Sequence, residues 1–340
     1  METVPGCTSE DINNIAYSLM IKEGRDLLIY QANILQRTMK SMGKKYKNIA
    51  MLSHTHGQPA SPTTMGKEFI NFYRRLDTQI HDLNNIEIKG KFNGATGNYS
   101  AHSVTYPKVN WPNTMRKFVN SLKLEFNSHT TQIEPHDYIA DLCHKINHIN
   151  SILIGFSQDI WAYISKNYFT QKNIKGEIGS STMPHKINPI NFENAEGNLG
   201  MSNAISNYFS NKLVISRLQR DLSDSTVLRN IGLVYAYSIV AYKNISLGLS
   251  KLDINKQKIN DDLDECWEIL AEPIQMVARK YHISNSYEYL KKYTRGKKVD
   301  KGVIKKIITN LDIPEKDKSR LLELTPRKYI GYANKLCDVK

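Results

Sequence analysis

Long, nearly uninterrupted stretches of helical periodicity constrain the fold of this chain more than any other feature. The first stretch follows Thr8-Ser9-Glu10-Asp11, a capping-box sequence with two acids in the first turn. The second and third stretches are predicted for residues 62–88 and 135–169. A fourth begins at Pro189 and a fifth covers residues 223–252, whereas strand-like alternation is nearly absent. The positions expected to face inward are Ile12, Ile15, Leu19, Leu27, Ile34 and Leu35 in the first stretch, and Ile139, Leu142, Ile146, Ile149, Leu153 and Trp161 in the third. This pattern predicts an all-α fold built on a long helical bundle.

The character of the chain changes after Leu252. The helical stretches become shorter and more basic, with breaks at Pro273, Gly296, Pro314 and Pro326. We therefore expect two domains. Residues 1–251 would form a central long-helix bundle that carries the catalytic loops, and residues 252–340 a smaller C-terminal helical domain.

Charge and cysteine content limit the classes of partner and compartment. The formal net charge is +13, but the lysines are spread along the chain, which favours a solvated surface over a nucleic-acid site. The four cysteines form no CxxC pair, so free thiols and a reducing, cytoplasmic compartment are expected. The start of the chain lacks an apolar signal region, and no run of about 18 apolar residues predicts a membrane span.

Polar, glycine-rich loops separate the long helical stretches, and the one at residues 176–189 is the most informative. Ser180 follows Gly179, and Lys186 lies six residues further on, close to the helix start at Pro189. Backbone N–H groups, a lysine and a helix N-terminus together would stabilise an anion and lower the pKa of a serine. The alternative is a solvated surface loop with a helix cap.

His56 is a candidate acid or base, because histidine titrates near neutrality and Gly57 and Gln58 follow it. Glu193 is a candidate for the carboxylate that would orient its ring. His54 and His56, like the i, i+4 pair His144 and His148, could instead bind a metal. Neither pair has a third ligand nearby in the sequence, so we predict no metal site.

A third candidate group follows in the segment 217–229. Arg220 precedes a predicted helix, on which Ser225 and Arg229 share one face. Two arginines and a hydroxyl near a helix start would make a phosphate clamp. A surface helix with Asp–Arg pairs is the alternative.

Several of these loops together resemble one family. Gly179–Pro189 is similar to the signature loop of the fumarase/aspartase superfamily of lyases, Ser53–Ala60 to its second conserved region and Thr8–Asn13 to its first. A narrower resemblance, to the bacterial-type adenylosuccinate lyase family, covers essentially the whole chain. It rests on Thr130–Tyr138, Phe192–Gly200, Arg217–Arg229, Leu270–Gln275 and Thr294–Lys297.

The resemblance implies a C–N lyase that converts adenylosuccinate to AMP and fumarate, and SAICAR to AICAR and fumarate, in purine nucleotide biosynthesis. It implies that Ser180 is the base and that His56, oriented by Glu193, is the acid. The residues expected to bind the small-molecule nucleotide are Thr8, Ser9, Thr55 and Gln132, with Lys186 and Asn188 at the succinyl carboxylates and Arg220, Ser225 and Arg229 at the phosphate. No cofactor is implied, and the family pattern is a homotetramer whose active sites combine loops from three subunits.

Two rival functions stay open at this point. A sister lyase, acting on argininosuccinate or a carboxymuconate, is the nearer one, although those substrates lack a phosphate. A non-catalytic helical scaffold or RNA-binding relative is the other, although a scaffold needs none of Ser180, His56, Lys186 and Glu193. Family members begin with a further domain of roughly a hundred residues, and this chain is expected to lack it and its histidine.

Overall fold

The computed structural model describes residues 6–172, 183, 185–294 and 299–339. These residues are mostly helical, as predicted. The helices are α1 (Ser9–Lys45), α2 (Met65–Asn84), α3 (Ser100–Thr105), α4 (Trp111–Ser121), α5 (Asp137–Ser165), α6 (Ile190–Lys212), α7 (Ser223–Leu228), α8 (Ile231–Ser250), α9 (Lys256–Glu265), α10 (Ala271–Lys280), α11 (Ser286–Thr294), α12 (Lys301–Thr309) and α13 (Glu315–Leu322). No helix in this part of the chain has the length and apolar character that crossing a membrane requires.

Short strands accompany the helices. They are β1 (Ala50–Thr55), β2 (Gln58–Thr64), β3 (Lys89–Gly90), β4 (Glu125–Phe126), β5 (Phe169–Gln171) and β6 (Leu252–Ile254). β1 and β2 form an antiparallel hairpin, β5 and β6 pair antiparallel, and β3 and β4 pair parallel.

The hairpin corrects a prediction, since the helix expected over residues 62–88 would have Ser61 as its N-cap and Pro62 at its first position. Both residues belong to β2, where the register shifts opposite the β1 segment between Met51 and Ser53. Proline is tolerated in a strand at such an irregularity because no ladder hydrogen bond is needed from its nitrogen. The helix α2 begins at Met65 instead.

The predicted fifth helix is also interrupted. Arg229 and Asn230 separate α7 from α8, and the Asn230 N–H donates to the Val227 carbonyl at 3.0 Å, an i−3 bond that closes α7. The other long stretches end earlier than expected, α2 at Asn84 and α5 at Ser165.

The chain divides into two compact units. The first comprises Met1–Gln36, Arg74–Trp161 and Ile178–Lys251, and the second comprises Arg37–Tyr73, Ala162–Glu177 and Leu252–Lys340. The expected boundary at residue 251 between two consecutive domains stays a prediction.

The core of the first unit lies where α5, α6 and α8 pack. Gly248 of α8 permits this contact, because a Cβ there would lie 2.8 Å from the Phe192 ring of α6. A buried polar network also links the three helices: Tyr242 donates to Asn150 Oδ1 at 2.9 Å, and Asn150 Nδ2 donates to Ser202 and Ser238 at 3.1 and 3.0 Å.

The apolar face of α1 was predicted only in part. Ile15 and Leu35 are buried as expected, but Ile12 and Leu27 are 55% and 50% exposed. Polar residues occupy the buried face near the helix start, because they bond to backbone groups of the segment at residues 89–94. Trp161, predicted to face inward from α5, is 46% exposed.

The second unit contains the β1–β2 hairpin, the β5–β6 pair and helices α9 to α13. Tyr46, Phe69 and Phe169 form an aromatic cluster there, with ring centroids 6.1–6.2 Å apart. Gly43 of α1 and Gly66 of α2 allow a close backbone approach in this unit, since a Cβ at Gly66 would overlap the Gly43 carbonyl oxygen.

Candidate active site

The N-terminus of α1 is built as predicted in one half of the capping box. The Thr8 backbone N–H donates to Asp11 Oδ2 at 2.9 Å, and the Asp11 N–H donates to the Thr8 carbonyl at 3.2 Å. Thr8 is half-buried and Ser9 is exposed. The cap therefore presents the two expected substrate-contacting hydroxyl residues at a fixed helix end.

A fully buried ion pair lies directly beneath this cap. Lys91 Nζ donates to Asp11 Oδ1 at 2.7 Å, and both side chains are 0% exposed. Oδ1 also accepts the backbone N–H groups of Asn93 and Gly94 at 3.1 and 3.3 Å. Burial alone raises the pKa of Asp11, but the hydrogen bonds from Lys91, Thr8 and Asn93 outweigh it, and the pKa is lowered.

The segment 91–97 connects this pair to Gln132. Asn93 Nδ2 donates to Thr130 Oγ1 at 2.8 Å, and Gln132 Nε2 donates to the Ala95 carbonyl at 3.0 Å. Gly97, with φ +79°, approaches so closely that a Cβ would overlap the Thr130 carbonyl oxygen. Glycine at this position is therefore required by both the backbone angle and the contact.

The other acid of the first turn, Glu10, forms an ion pair with Arg220. Arg220 Nη1 donates to Glu10 Oε2 at 2.9 Å, and the two side chains are 17% and 6% exposed. Burial raises the pKa of Glu10, and the charge of Arg220 opposes that rise. The Gln132 N–H donates to the Gln219 carbonyl at 3.2 Å, which ties the Arg220 segment to the Gln132 segment.

The rest of the predicted phosphate clamp is more open. Ser225 is half-buried in α7, and Arg229, at its C-terminus, is exposed. Between them and Arg220 lies Asp224, which is 4% exposed and accepts the Ser225 N–H at 2.7 Å. The clamp region thus contains a buried carboxylate that the sequence did not single out.

Thr55 and His56 lie at the tip of the β1–β2 hairpin, in the second unit. His56 and Gly57 form a two-residue turn with φ values of +52° and +73°, as type I′ hairpins require, and Thr55 pairs with Gln58 across it. Both Thr55 and His56 are exposed. His54 is partly buried beside Tyr168, with ring centroids 6.5 Å apart, and burial lowers its pKa.

Ser180 lies outside the described residues. Lys186 is exposed, with its N–H bonded to the Met183 carbonyl at 3.1 Å, and Asn188 is half-buried. Glu193 accepts a hydrogen bond from Trp161 Nε1 at 3.0 Å. In the described part of the chain, no three His, Cys, Asp or Glu side chains are grouped to hold a metal ion.

In the first unit, the fold brings Thr8, Gln132 and Arg220 into one hydrogen-bonded assembly, and Ser9 directly follows Thr8 at the start of α1. The residues that connect them are Glu10, Asp11, Lys91 and Asn93, and sequence reasoning missed their roles. The available signal was the presence of two acids directly after the cap and a lysine that opens a glycine-rich loop. Nothing in the spacing reveals that these distant charges meet in the core.

Comparisons with known proteins identify the family to which the chain is similar. Residues 4–203 match the Lyase family model, and residues 216–330 match the model of the adenylosuccinate lyase C-terminal region. The adenylosuccinate lyase of Buchnera aphidicola subsp. Schizaphis graminum is 57% identical over 333 residues, which is 98% of this chain and 73% of the relative. That of Escherichia coli K12 is 52% identical over 334 residues, with the same coverage.

Solved structures support the fold. The 3-carboxy-cis,cis-muconate lactonizing enzyme of Pseudomonas putida superposes with a TM-score of 0.79 at 18% identity, over 98% of this chain and 75% of the other. A fumarate lyase from Mesorhizobium sp. BNC1 gives the same TM-score at 17% identity, over 98% of this chain and 76% of the other. Since two family models together span most of the chain and relatives exceed 50% identity, the chain belongs to the adenylosuccinate lyase family, within the wider fumarase/aspartase group of lyases.

Proposed function

We propose that this protein is an adenylosuccinate lyase, which cleaves adenylosuccinate to AMP and fumarate and SAICAR to AICAR and fumarate in purine nucleotide biosynthesis. The observation that carries this proposal is the pairing of Arg220 with Glu10, one residue from Ser9. An arginine beside the hydroxyl groups of the α1 cap supports a substrate that carries a phosphate, because a guanidinium forms strong hydrogen bonds to phosphate oxygens.

The reaction is an elimination with a balanced transfer of one proton at each end. Ser180 takes a proton from the succinyl carbon beside a carboxylate, and the electron pair is stabilised as an aci-carboxylate. The C–N bond then breaks, the pair forms the C=C bond of fumarate, and His56 gives its proton to the departing nitrogen. Glu193 orients His56. No cofactor is required by this acid–base chemistry.

The substrate anions are held by separate groups. Lys186 and Asn188 hold the succinyl carboxylates, with Thr8, Ser9, Thr55 and Gln132 along the substrate. Arg220 binds the phosphate with Ser225 and Arg229. Arginine has five N–H donors. The bond to Glu10 uses Nη1, so other donors of the same guanidinium can serve the phosphate.

Subunit assembly would complete the site. Helices of the first unit expose apolar side chains that a lone chain would leave in water: Ile12, Met20, Leu27 and Tyr30 on α1, Met201 and Tyr208 on α6, and Leu233, Val240 and Leu247 on α8. Large exposed apolar surfaces mark interfaces. These faces support a homotetramer in which loops of different subunits meet. The free thiols of all four cysteines support a cytoplasmic, reducing location.

Fumarate release from adenylosuccinate tests the proposal, with argininosuccinate as the parallel substrate. We expect release from adenylosuccinate alone, because a substrate without a phosphate cannot use Arg220. Release from argininosuccinate would instead support the sister lyase. If neither substrate released fumarate, the result would contradict catalysis by this chain and favour the non-catalytic scaffold.

The serine pair supplies the matched variants. Ser180→Ala should lower kcat by about 100-fold or more, which is the range that a general base contributes, whereas Ser181→Ala should retain most of the turnover. The reverse order of effects would move the base from Ser180 to Ser181.

A further inference from the structure

The carboxylate of Asp11 is the point at which two sequence-distant parts of the candidate site are joined. Its Oδ2 accepts the Thr8 N–H at 2.9 Å, and its Oδ1 accepts the N–H groups of Asn93 and Gly94. The same Oδ1 accepts the Lys91 ammonium at 2.7 Å. One buried side chain therefore fixes both the cap of α1 and the glycine-rich segment 91–97.

We infer that Asp11 and Lys91 are a pair of positioning residues, which hold Thr8 and Ser9 on one side and Gln132 on the other in the geometry that binds the substrate. This inference rests on the proposed function and adds to it, since neither Asp11 nor Lys91 touches the substrate in that scheme.

Hydrogen bonds of both its backbone and its side chain fix the position of Lys91. Asn14, one turn along α1 from Asp11, accepts the Lys91 N–H at 2.8 Å and donates to its carbonyl at 3.0 Å. The ammonium also donates to the Gly94 carbonyl at 3.2 Å. The backbone of the segment is thereby tied to α1 at Lys91, Asn93 and Gly94.

The link from this segment to Gln132 passes through two contacts. The Ala95 carbonyl accepts Gln132 Nε2 at 3.0 Å, and Asn93 Nδ2 donates to Thr130 Oγ1 at 2.8 Å. A shift of the segment away from α1 would therefore move Gln132 as well. Misplacement of binding groups by about 1 Å can lower activity about 100-fold, even when the altered residue lies away from the chemistry.

A purely stabilising role explains the pair less well. Removing two charges from water costs free energy that their attraction only partly returns, and replacement by neutral side chains of similar volume is often tolerated. Both side chains are 0% exposed. What a neutral pair cannot supply is a carboxylate with enough lone pairs for one ammonium and three backbone N–H groups.

The test compares Asp11→Asn and the double variant Asp11→Asn/Lys91→Met with the wild type in the full chain. The matched control is Asp26→Asn, because Asp26 also lies on α1 and pairs with Lys22 and Arg25 at 3.1 and 2.9 Å, but is 47% exposed. The readouts are KM and kcat for adenylosuccinate and the thermal unfolding midpoint Tm.

We expect KM to rise about tenfold or more in both Asp11 variants, with a smaller fall in kcat, because the substitutions displace binding groups and leave the proposed acid and base residues unaltered. The double variant should recover Tm relative to Asp11→Asn, since it leaves no unpaired buried lysine, but it should not recover KM. Asp26→Asn should keep KM within about twofold of the wild type.

Two outcomes would overturn the inference. If KM of both Asp11 variants stayed within about twofold of the wild type while Tm fell, the pair would be structural only. A rise in KM of the same size in Asp26→Asn would show that the effect is not specific to Asp11. An inactive wild type would instead contradict the proposed function, and the inference with it, so the two failures are distinguishable.

Discussion

The indole Nε1 of Trp161 on α5 donates a hydrogen bond to Oε1 of Glu193 on α6, across 3.0 Å. One turn away, the same two helices repeat the arrangement, where Gln158 Nε2 donates to Glu196 Oε1 at 2.9 Å. Two glutamates of one helix are thus held by two donors of its neighbour. Only Glu193 has a proposed role in catalysis, so the second pair is an internal control for the first.

Glu193→Gln should lower kcat by about 100-fold, because an amide keeps the bond to Trp161 but loses the charge that would orient protonated His56. Trp161→Phe should lower kcat less, by about two- to tenfold, since it removes one hydrogen bond and leaves the carboxylate in place. Steady-state kinetics with adenylosuccinate measure both effects.

Glu196→Gln is the control for these variants, and its kcat should stay close to the wild-type value. Equal losses in Glu193→Gln and Glu196→Gln would show that the α5–α6 contact, rather than the orientation of His56, governs turnover.

Gly66→Ala should destabilise the protein by about 2 kcal/mol or more, because the new methyl group has no room to move into. Its Cβ would overlap the Gly43 carbonyl oxygen and lie 2.6 Å from Lys47 Cα, and both are backbone atoms. Gly155→Ala in α5 has no atom within 4 Å of the new Cβ and should stabilise by about 0.5–1 kcal/mol. Urea unfolding of the two variants compares them, and opposite signs are expected.

Tyr242→Phe should lower the free energy of unfolding by about 1–2 kcal/mol, since the buried Asn150 Oδ1 loses its hydroxyl donor. Tyr208→Phe removes a hydroxyl from a side chain that is 57% exposed, and should change stability by less than about 0.5 kcal/mol. Chemical denaturation measures both. If Tyr242→Phe left the free energy of unfolding unchanged, the hydroxyl of Tyr242 would add no net stability to the α5–α6–α8 core.

His102 should make stability fall in mild acid. The ring is 1% exposed against Trp111, and in the described part of the chain neither ring nitrogen has a hydrogen-bond partner. Burial lowers the pKa of His102, with the Asp11 charge opposing and the Lys91 charge adding to that shift. The unfolded chain takes up a proton near pH 6.5 and the folded chain only at lower pH, so acid favours unfolding.

The measurement is the difference in unfolding free energy between the wild type and His102→Gln, followed from pH 8 to 5. Below about pH 6.5 the wild type should lose up to about 1.4 kcal/mol per pH unit relative to the variant. If the unfolding free energy of His102→Gln fell with pH as steeply as that of the wild type, the acid sensitivity would belong to other groups.

Periodicity was sufficient to predict the helical fold, because the long helices bury repeated apolar positions. It failed at Ser61 and Pro62, where local cap preferences resemble a helix start but strand pairing with β1 decides the structure. It also failed at Ile12 and Leu27, which the periodicity predicts to be buried but which are exposed in the structure. A sequence pattern reports that a face is apolar, not which surface covers it.

The candidate site could be proposed from the sequence where a residue type carries chemistry, as with His56 and Arg220, and their roles stay predictions. The sequence did not predict charged residues that position other groups instead of contacting the substrate. Asp11 and Lys91 are 80 residues apart, and buried charges are rare enough that sequence reasoning assigns both to the surface. Their pairing is a product of the tertiary fold, which places the segment 91–97 under the start of α1.

The hairpin turn at His56 and Gly57 limits how the chain can be altered. Surface loops commonly accept extra residues, but one residue added between Thr55 and Gln58 would change the turn type and shift the strand register, which turns every side chain of one strand to the opposite face. The exposed connection at residues 106–110 has no such pairing in the structure. An inserted peptide tag is therefore compatible with 106–110, whereas the hairpin that carries His56 can change in composition but not in length.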